Sequence, residues 1–287
     1  MFDDMNEELQ RKVDRAVKLI KAAGEIAAEH GQPLEVCYSG GKDSDVILEL
    51  TKMADVNYRA IYKNTTIDPP GTIKHAKDNG VEIMQPTMTF KQVIEESGLP
   101  SRYRRTCCNK LKEYKVLDYA VVGIRRDESA KRAERYKEPE ICRVYNKHEK
   151  ARQYLPILEF TAADIEEFIK ERGIKCHPLY YDPEGNFHVE RRLGCIGCPL
   201  ASKKHRIEQF RKYPKMVRYY INAAQTFLDT HPQSKINGYF RDAYQWFAFT
   251  LTSDTLEEFN GKFSDHNLFG EGIDCKEYLE KILNTTL

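Results

Sequence analysis

The chain opens on an amphipathic pattern. Leu9, Val13, Ala16, Val17, Ile20 and Ala23 recur at helical spacing between charged residues, which predicts a helix ending near Gly31. The period then changes. Leu34-Glu35-Val36-Cys37-Tyr38 is a short β-prone run that stops at a glycine pair, and Val46, Ile47, Leu48 and Leu50 resume a helical pattern beyond it. The alternation continues, with strands expected over 58–62, 81–85 and 119–124 and helices over 72–78 and 90–96. Strands alternating with helices imply right-handed crossovers. The expected fold class is therefore α/β, a doubly wound, mostly parallel sheet with helices on both faces. In TAADIEEFIKERG, Thr161 as N-cap with Asp164 three residues on marks a helix start, and Gly173 a stop. After about residue 200 the pattern becomes helical and aromatic, with Tyr219, Tyr220, Phe227, Trp246 and Phe247 read as core. The chain is expected to divide into an N-terminal helix (1–32) packed on the domain, an α/β domain (33–200) and a helical C-terminal region (201–287).

Composition narrows the class. With 45 basic against 44 acidic residues there is no global field to recruit a polyanion, so any such ligand must meet a local cluster. No stretch approaches the roughly 20 consecutive apolar residues of a membrane span, and the acidic start MFDDMNEELQ is unlike a signal peptide. The expectation is a cytoplasmic enzyme with no membrane partner. Eight cysteines without an export signal point to metal or redox chemistry before structural disulfides. Cys37, Cys142 and Cys176 stand apart and are read as packing or incidental cysteines.

The string Ser39-Gly40-Gly41-Lys42-Asp43-Ser44 leaves a predicted strand and opens a predicted helix. That context turns consecutive backbone N–H groups and a helix dipole toward an anion, while the glycines let the main chain approach it and Lys42 adds charge. The Walker A spacing is absent. Further on, Gly123-Ile124-Arg125-Arg126-Asp127-Glu128-Ser129-Ala130-Lys131-Arg132 leaves another predicted strand and presents guanidinium forks suited to phosphate or sulfate, at the sheet end where open α/β folds bind ligands. Arg102, Arg104 and Arg105 add positive charge just before a cysteine pair. Cys107-Cys108 and Cys195-Ile196-Gly197-Cys198 offer four thiolates from two segments. Adjacent cysteines diverge along a chain, which suits the separate irons of a 4Fe-4S cubane better than a single zinc, although zinc stays open.

These motifs carry a family resemblance. SGGKDS resembles the PP-loop of the adenine nucleotide alpha hydrolase superfamily. Thr106-Cys107-Cys108-Asn109-Lys110-Leu111-Lys112, followed 87 positions after Cys108 by Cys195, resembles the CC…CxxC pattern of adenylylsulfate (APS) reductases. Gly123, Arg125, Arg126, Ser129 and Arg132 match the GxRRxxSxxR signature of sulfonucleotide reductases. The likeness runs from about residue 33 to 200 and includes Tyr154 to Thr161 and His177-Pro178-Leu179-Tyr180, where His177 is read as a hydrogen-bonded structural residue. The resemblance, to the phosphoadenosine phosphosulfate (PAPS)/APS reductase family, implies an adenine nucleotide held by Ser39 to Ser44, Gly123, Arg125, Arg126 and Arg132. Lys42, Arg125 and Arg126 are implied in catalysis. It further implies a 4Fe-4S cluster on Cys107, Cys108, Cys195 and Cys198 with Lys112 beside it, and ATP, APS or PAPS as substrate, with magnesium as a companion of ATP.

One departure changes the expected reaction. Reductases of the family attack with a cysteine in a Glu-Cys-Gly-x-His string; this sequence contains none, and its late cysteine is Cys275 in Gly272-Ile273-Asp274-Cys275-Lys276-Glu277. The leading expectation is an ATP pyrophosphatase-type activation for sulfur transfer, as in DNA phosphorothioation and tRNA thiolation. Reduction of APS or PAPS to sulfite, with Cys275 or a partner thiol as nucleophile, is the alternative, and a non-catalytic nucleotide sensor the second. The expected partners are a cysteine desulfurase or thioredoxin-like donor, a nucleic acid as sulfur acceptor, and a second copy in a homodimer.

Overall fold

The structure is a computed structural model describing residues 6–263 and 274–287. Residues 1–5, and Gly272 and Ile273 of the late-cysteine segment, lie outside the described residues. In chain order the elements are α1 (Glu7–Glu29), β1 (Leu34–Tyr38), α2 (Lys42–Ala54), β2 (Tyr58–Lys63), α3 (Thr72–Asp78), β3 (Glu82–Met84), α4 (Phe90–Ser97), α5 (Thr106–Leu111), β4 (Tyr119–Val122), α6 (Ala130–Arg135), β5 (Glu140–Val144), β6 (Lys150–Tyr154) and α7 (Ala162–Glu171). Then follow α8 (Lys203–Lys212), α9 (Pro214–Thr230), α10 (Ile236–Tyr239), α11 (Ala243–Thr252), α12 (Leu256–Phe263) and α13 (Cys275–Leu283). The chain forms two compact units: one of residues 1–64, 69–85 and 113–194, the other of 65–68, 86–112 and 195–287.

The first unit is a six-stranded sheet of order β3-β2-β1-β4-β6-β5, parallel except for β5. β1 is central, with Val36 registered against Ala60 on β2 and Val121 on β4. Its side chains are buried at all but one position, the mark of a strand covered on both faces. The expected α/β class is borne out. α1 buries Leu9, Val13, Ala16, Ile20 and Ala23, and packs on α2. Each fully buried Leu, Val or Ile there contributes about 1.5–3 kcal/mol. α1 is tied to α7 by Lys12, whose Nζ lies 2.8 Å from Asp164 Oδ2, and α7 begins on the expected capping box, Thr161 with Asp164. The hairpin β5–β6 has no counterpart in the predicted elements: its outer strand exposes Glu140, Cys142 and Val144 in alternation with half-buried residues, so no apolar stripe marks it.

The second unit is helical apart from its loops. α4, α8, α9 and α11 supply its core, in which Phe90, Phe210, Tyr220 and Phe247 pack ring against ring at centroid distances of 5.1–5.8 Å. Among the described residues no helix is long and apolar enough to cross a membrane.

Candidate functional site: a glycine-rich loop and a cysteine cluster

The sheet order reverses between β1 and β4, and the carboxyl ends of these two strands carry the glycine-rich loop and the basic loop. This is the topological switch point at which open α/β sheets bind ligands. After β1, Gly40 takes φ +78°, a left-handed conformation, and a Cβ there would lie 2.8 Å from Thr72 Cγ2. Gly41 then begins α2 with no side-chain cap. Ser44 Oγ donates to the Gly41 carbonyl at 2.7 Å, and Ser39 Oγ stands 3.3 Å from Ser44 Oγ. The Lys42 N–H donates to Tyr180 Oη at 3.2 Å. A main chain bent this way, at the N-terminus of a 13-residue helix, is a geometry suited to a phosphate.

The cations meet a carboxylate at this loop. Asp43 accepts from Arg125 Nε at 2.6 Å through one oxygen and from Lys42 Nζ at 3.1 Å through the other. Arg125 is 4 % exposed and also reaches Asp127 Oδ2 at 3.1 Å and the Phe160 carbonyl. Lys42, Asp43, Arg125 and Gly123, which packs on the Asp43 main chain, are thus brought together. Arg126 and Arg132 are placed differently. Arg126 donates to the Tyr136 and Lys137 carbonyls, and Arg132 pairs with Glu128 at 2.6 Å, so both brace the loop around α6.

Beneath the loop lies a polar network that pattern reading missed. Asp45, 3 % exposed in the first turn of α2, accepts from the Tyr38 hydroxyl and from His75 Nε2 at 3.0 Å. Burial raises the Asp45 pKa, against the bonds from His75 and Tyr38. Burial likewise pushes up the Tyr38 phenol and the Cys176 thiol, each further raised by Asp45. His177 is 1 % exposed; its Nδ1 accepts the Leu179 N–H at 3.1 Å and its Nε2 faces Thr72 Oγ1 at 3.4 Å. These contacts agree with the structural reading of His177. The available signal was a polar triplet, Lys42 to Ser44, extended by one acidic residue into an apolar helix face.

The four candidate metal-binding cysteines all belong to the helical unit. Cys107 and Cys108 occupy the first turn of α5, and a hydrogen bond with Cys108 and burial, with Cys195 and Cys198 close by, push the Cys107 thiol up. Cys195 Sγ lies 3.5 Å from Asp68 Oδ1 and 3.7 Å from Thr65 Oγ1, and Lys112 Nζ is 3.6 Å from the same Asp68 oxygen. Burial pushes the Cys195 thiol up to about 11 against the opposing charge of Lys112. Burial works against the Lys112 charge, but Cys195 and Asp68 outweigh it and raise the ammonium above its ordinary range. The CxxC turn is clamped from behind: Ile196 N–H donates to Ile67 O, Gly197 N–H to Gln209 Oε1, and Tyr220 Oη to Ile196 O. Gly197 takes φ +73° against the rings of Phe210 and Tyr220, so the turn admits no side chain there. Among the described residues, no three His, Cys, Asp or Glu side chains converge on one ion position.

Cys275 does not have the setting of a nucleophile. It is 3 % exposed in the helical core, and burial, then the charges of Asp242 and Asp274, pushes its thiol up to about 11. The neighbouring cation, Lys276, lies over the Tyr244 ring.

A glycine-bent anion loop at the switch point of a parallel sheet, with a buried arginine entering from the next loop, defines a nucleotide-binding protein of the PP-loop kind. The phosphoadenosine phosphosulfate reductase domain model matches residues 33–201, and the chain belongs to that family. An uncharacterized protein of Methanocaldococcus jannaschii is 25 % identical over 247 residues, 79 % of this chain; the chain spans 57 % of that relative's length. A sulfate adenylyltransferase subunit 2 of Shewanella frigidimarina is 28 % identical over 209 residues, 60 % of this chain and 67 % of that one. Among solved structures, phosphoadenylyl-sulfate (PAPS) reductase from Candida auris, in a phosphate complex, aligns at 15 % identity and a TM-score of 0.40, over 67 % of this chain and 96 % of that one.

Proposed function

We propose that the protein activates an acceptor with ATP at the glycine-rich loop, as the first half of a sulfur transfer. The observation that carries this reading is the Lys42–Asp43–Arg125 arrangement on a helix N-terminus, two cations held on one carboxylate where phosphates would lie. An acceptor oxygen attacks the α-phosphorus of ATP, the bond to the bridging oxygen of the β-phosphate breaks, and pyrophosphate leaves; sulfur then displaces AMP from the activated acceptor. Lys42 and Arg125 hold the phosphates, exchanging part of their pairing with Asp43 for the incoming charge. Asp43, once released from that pairing, would be free to hold a magnesium ion accompanying ATP. Ser39, Gly40, Gly41 and Ser44 supply main-chain and hydroxyl donors, and Gly123 keeps the second loop close. Arg126 and Arg132 keep that loop in place.

Cys107, Cys108, Cys195 and Cys198 are assigned to a 4Fe-4S cluster, whose separate irons do not require the thiols to meet at one ion position; zinc, which does require it, is the alternative. The electrostatic proximity of these half-buried thiols, and the Lys112 ammonium beside them, supports this assignment. When bound, the cluster supplies sulfur handling or electron transfer. The relatives named as sulfate adenylyltransferase subunits are named for adenylyl transfer, which favours ATP chemistry. The burial of Cys275 further disfavours reduction by a thiol of this chain. A cysteine desulfurase or thioredoxin-like protein as donor and a nucleic acid as acceptor complete the proposal. The test is release of pyrophosphate from ATP across candidate acceptors, lost in Lys42→Ala. Thiol-dependent sulfite release from APS or PAPS, without pyrophosphate release from ATP, overturns activation in favour of reduction. ATP binding without turnover favours a sensor.

A further inference from the structure

Arg206 has an unusual position. It lies on α8 in the helical unit, 6 % exposed, with one Nη donating to the Thr250 carbonyl and its Nε buried with no partner. Among the described residues it forms no ion pair, unlike Lys203 three residues earlier, which meets Asp254 at 2.9 Å. A buried guanidinium without an anion is costly and calls for a counter-charge. The face of α8 that carries it lies on the CxxC turn, because Gln209, three residues on, accepts the Gly197 N–H at 3.0 Å. Burial lowers the Arg206 pKa; Tyr220 and Cys198 act in the opposite sense, and Arg102 adds to the lowering. Tyr220 donates its hydroxyl proton to Ile196 O, and burial pushes its phenol well up, so it is no anion. Besides Tyr220, the group that acts to raise Arg206 is Cys198, so the guanidinium lies within electrostatic reach of the CxxC turn.

We propose that Arg206 is the buried counter-cation of an anionic metal–thiolate centre on Cys107, Cys108, Cys195 and Cys198. This rests on the reading above that these cysteines hold a cluster. Lys112 already shares Asp68, whereas Arg206 has its charge free for the centre. Arg206 is then a positioning residue: it favours retention of the centre, and it favours the reduced, more negative state of a cluster.

The test compares wild type, Arg206→Met and Arg206→Lys, each anaerobically loaded with iron and sulfide and each stripped of metal. Arg206→Met is expected to leave the metal-free protein at least as stable as wild type. The same variant loses iron to a chelator about 10- to 100-fold more readily and shifts the cluster midpoint potential to more negative values. Arg206→Lys restores most of both properties. If Arg206→Met lowers the unfolding temperature of loaded and stripped protein equally and leaves iron retention and potential unchanged, Arg206 is a carbonyl cap and the assignment is overturned. If wild type takes up neither iron nor zinc, the cluster reading itself fails, an outcome separate from a cluster that loads and ignores Arg206.

Discussion

Replacing Gly40 by alanine tests whether the glycine-rich loop is an anion cradle. At φ +78° the new side chain strains the backbone by about 1–2 kcal/mol. Its Cβ would also stand 2.8 Å from Thr72 Cγ2. Thr72 has little room to yield: it is 1 % exposed and its Oγ1 is held on the Pro69 carbonyl at 2.8 Å. Forcing a methyl group into such packing costs about 1–3 kcal/mol, for a total of roughly 2–5 kcal/mol, less than the stability of most domains. The variant should fold, with a melting temperature lower by roughly 5–15 °C. Because the loop rather than Thr72 must move, its amides leave the anion, and ATP affinity measured by calorimetry should fall at least about tenfold, or 1.4 kcal/mol. Adding Thr72→Ser removes the clashing methyl but keeps the hydroxyl, so the double variant should recover the steric share and retain the φ strain. Wild-type ATP affinity in Gly40→Ala would refute the cradle. A double variant no more stable than the single one would refute the steric part.

Three further outcomes follow from other contacts. Lys12→Met should destabilise the protein by roughly 1–3 kcal/mol at neutral pH, between the values for exposed and buried pairs, because side chains 11 % and 14 % exposed meet at 2.8 Å. Burial raises Asp164, but Lys12 and the Thr161 N–H outweigh it and hold it below its ordinary value. The pair therefore contributes fully above about pH 4 and is lost as pH falls through the folded pKa, so denaturant midpoints of variant and wild type should converge in acid; a constant gap would contradict the ion pair. Asp45→Ala leaves the Tyr38 hydroxyl and His75 Nε2 without their acceptor, at about 1–3 kcal/mol for each buried group, and urea unfolding showing a loss below 1 kcal/mol would count against the network. Cys275→Ala should keep turnover within about twofold while lowering the unfolding midpoint, as large-to-small core changes do; abolished turnover in a folded variant would restore the cysteine as nucleophile.

What was legible in the chain was local. The run Leu34–Tyr38, the glycine pair and the helix after it are adjacent in sequence, so strand, loop and helix could be read in order and proved right. The capping box at Thr161 and Asp164 is a three-residue signal and was equally plain. The hairpin β5–β6 was not, because an outer strand with Glu140, Cys142 and Val144 toward solvent carries no apolar alternation. Its partner strand, β6, begins with three residues, Lys150, Ala151 and Arg152, that look like more of the same charged segment.

The charges show the deeper limit. In KKHRIEQFRK nothing local separates Arg206 from Lys204, yet the first is 6 % exposed and the second faces solvent. Likewise Arg125 and Arg126 are neighbours of one type, and the partners that distinguish them lie far away in sequence: Asp43, 82 residues back, for the first, and the carbonyls after α6 for the second. A residue's type states what it can donate, while its desolvation is set by segments that meet only in the fold. Sequence motifs therefore located the loop and the cysteines, but the assignment of charge within them depends on burial. For that reason the buried guanidinium of Arg206, without an ion pair among the described residues, supports the proposed anionic centre on the cysteines more directly than their spacing does.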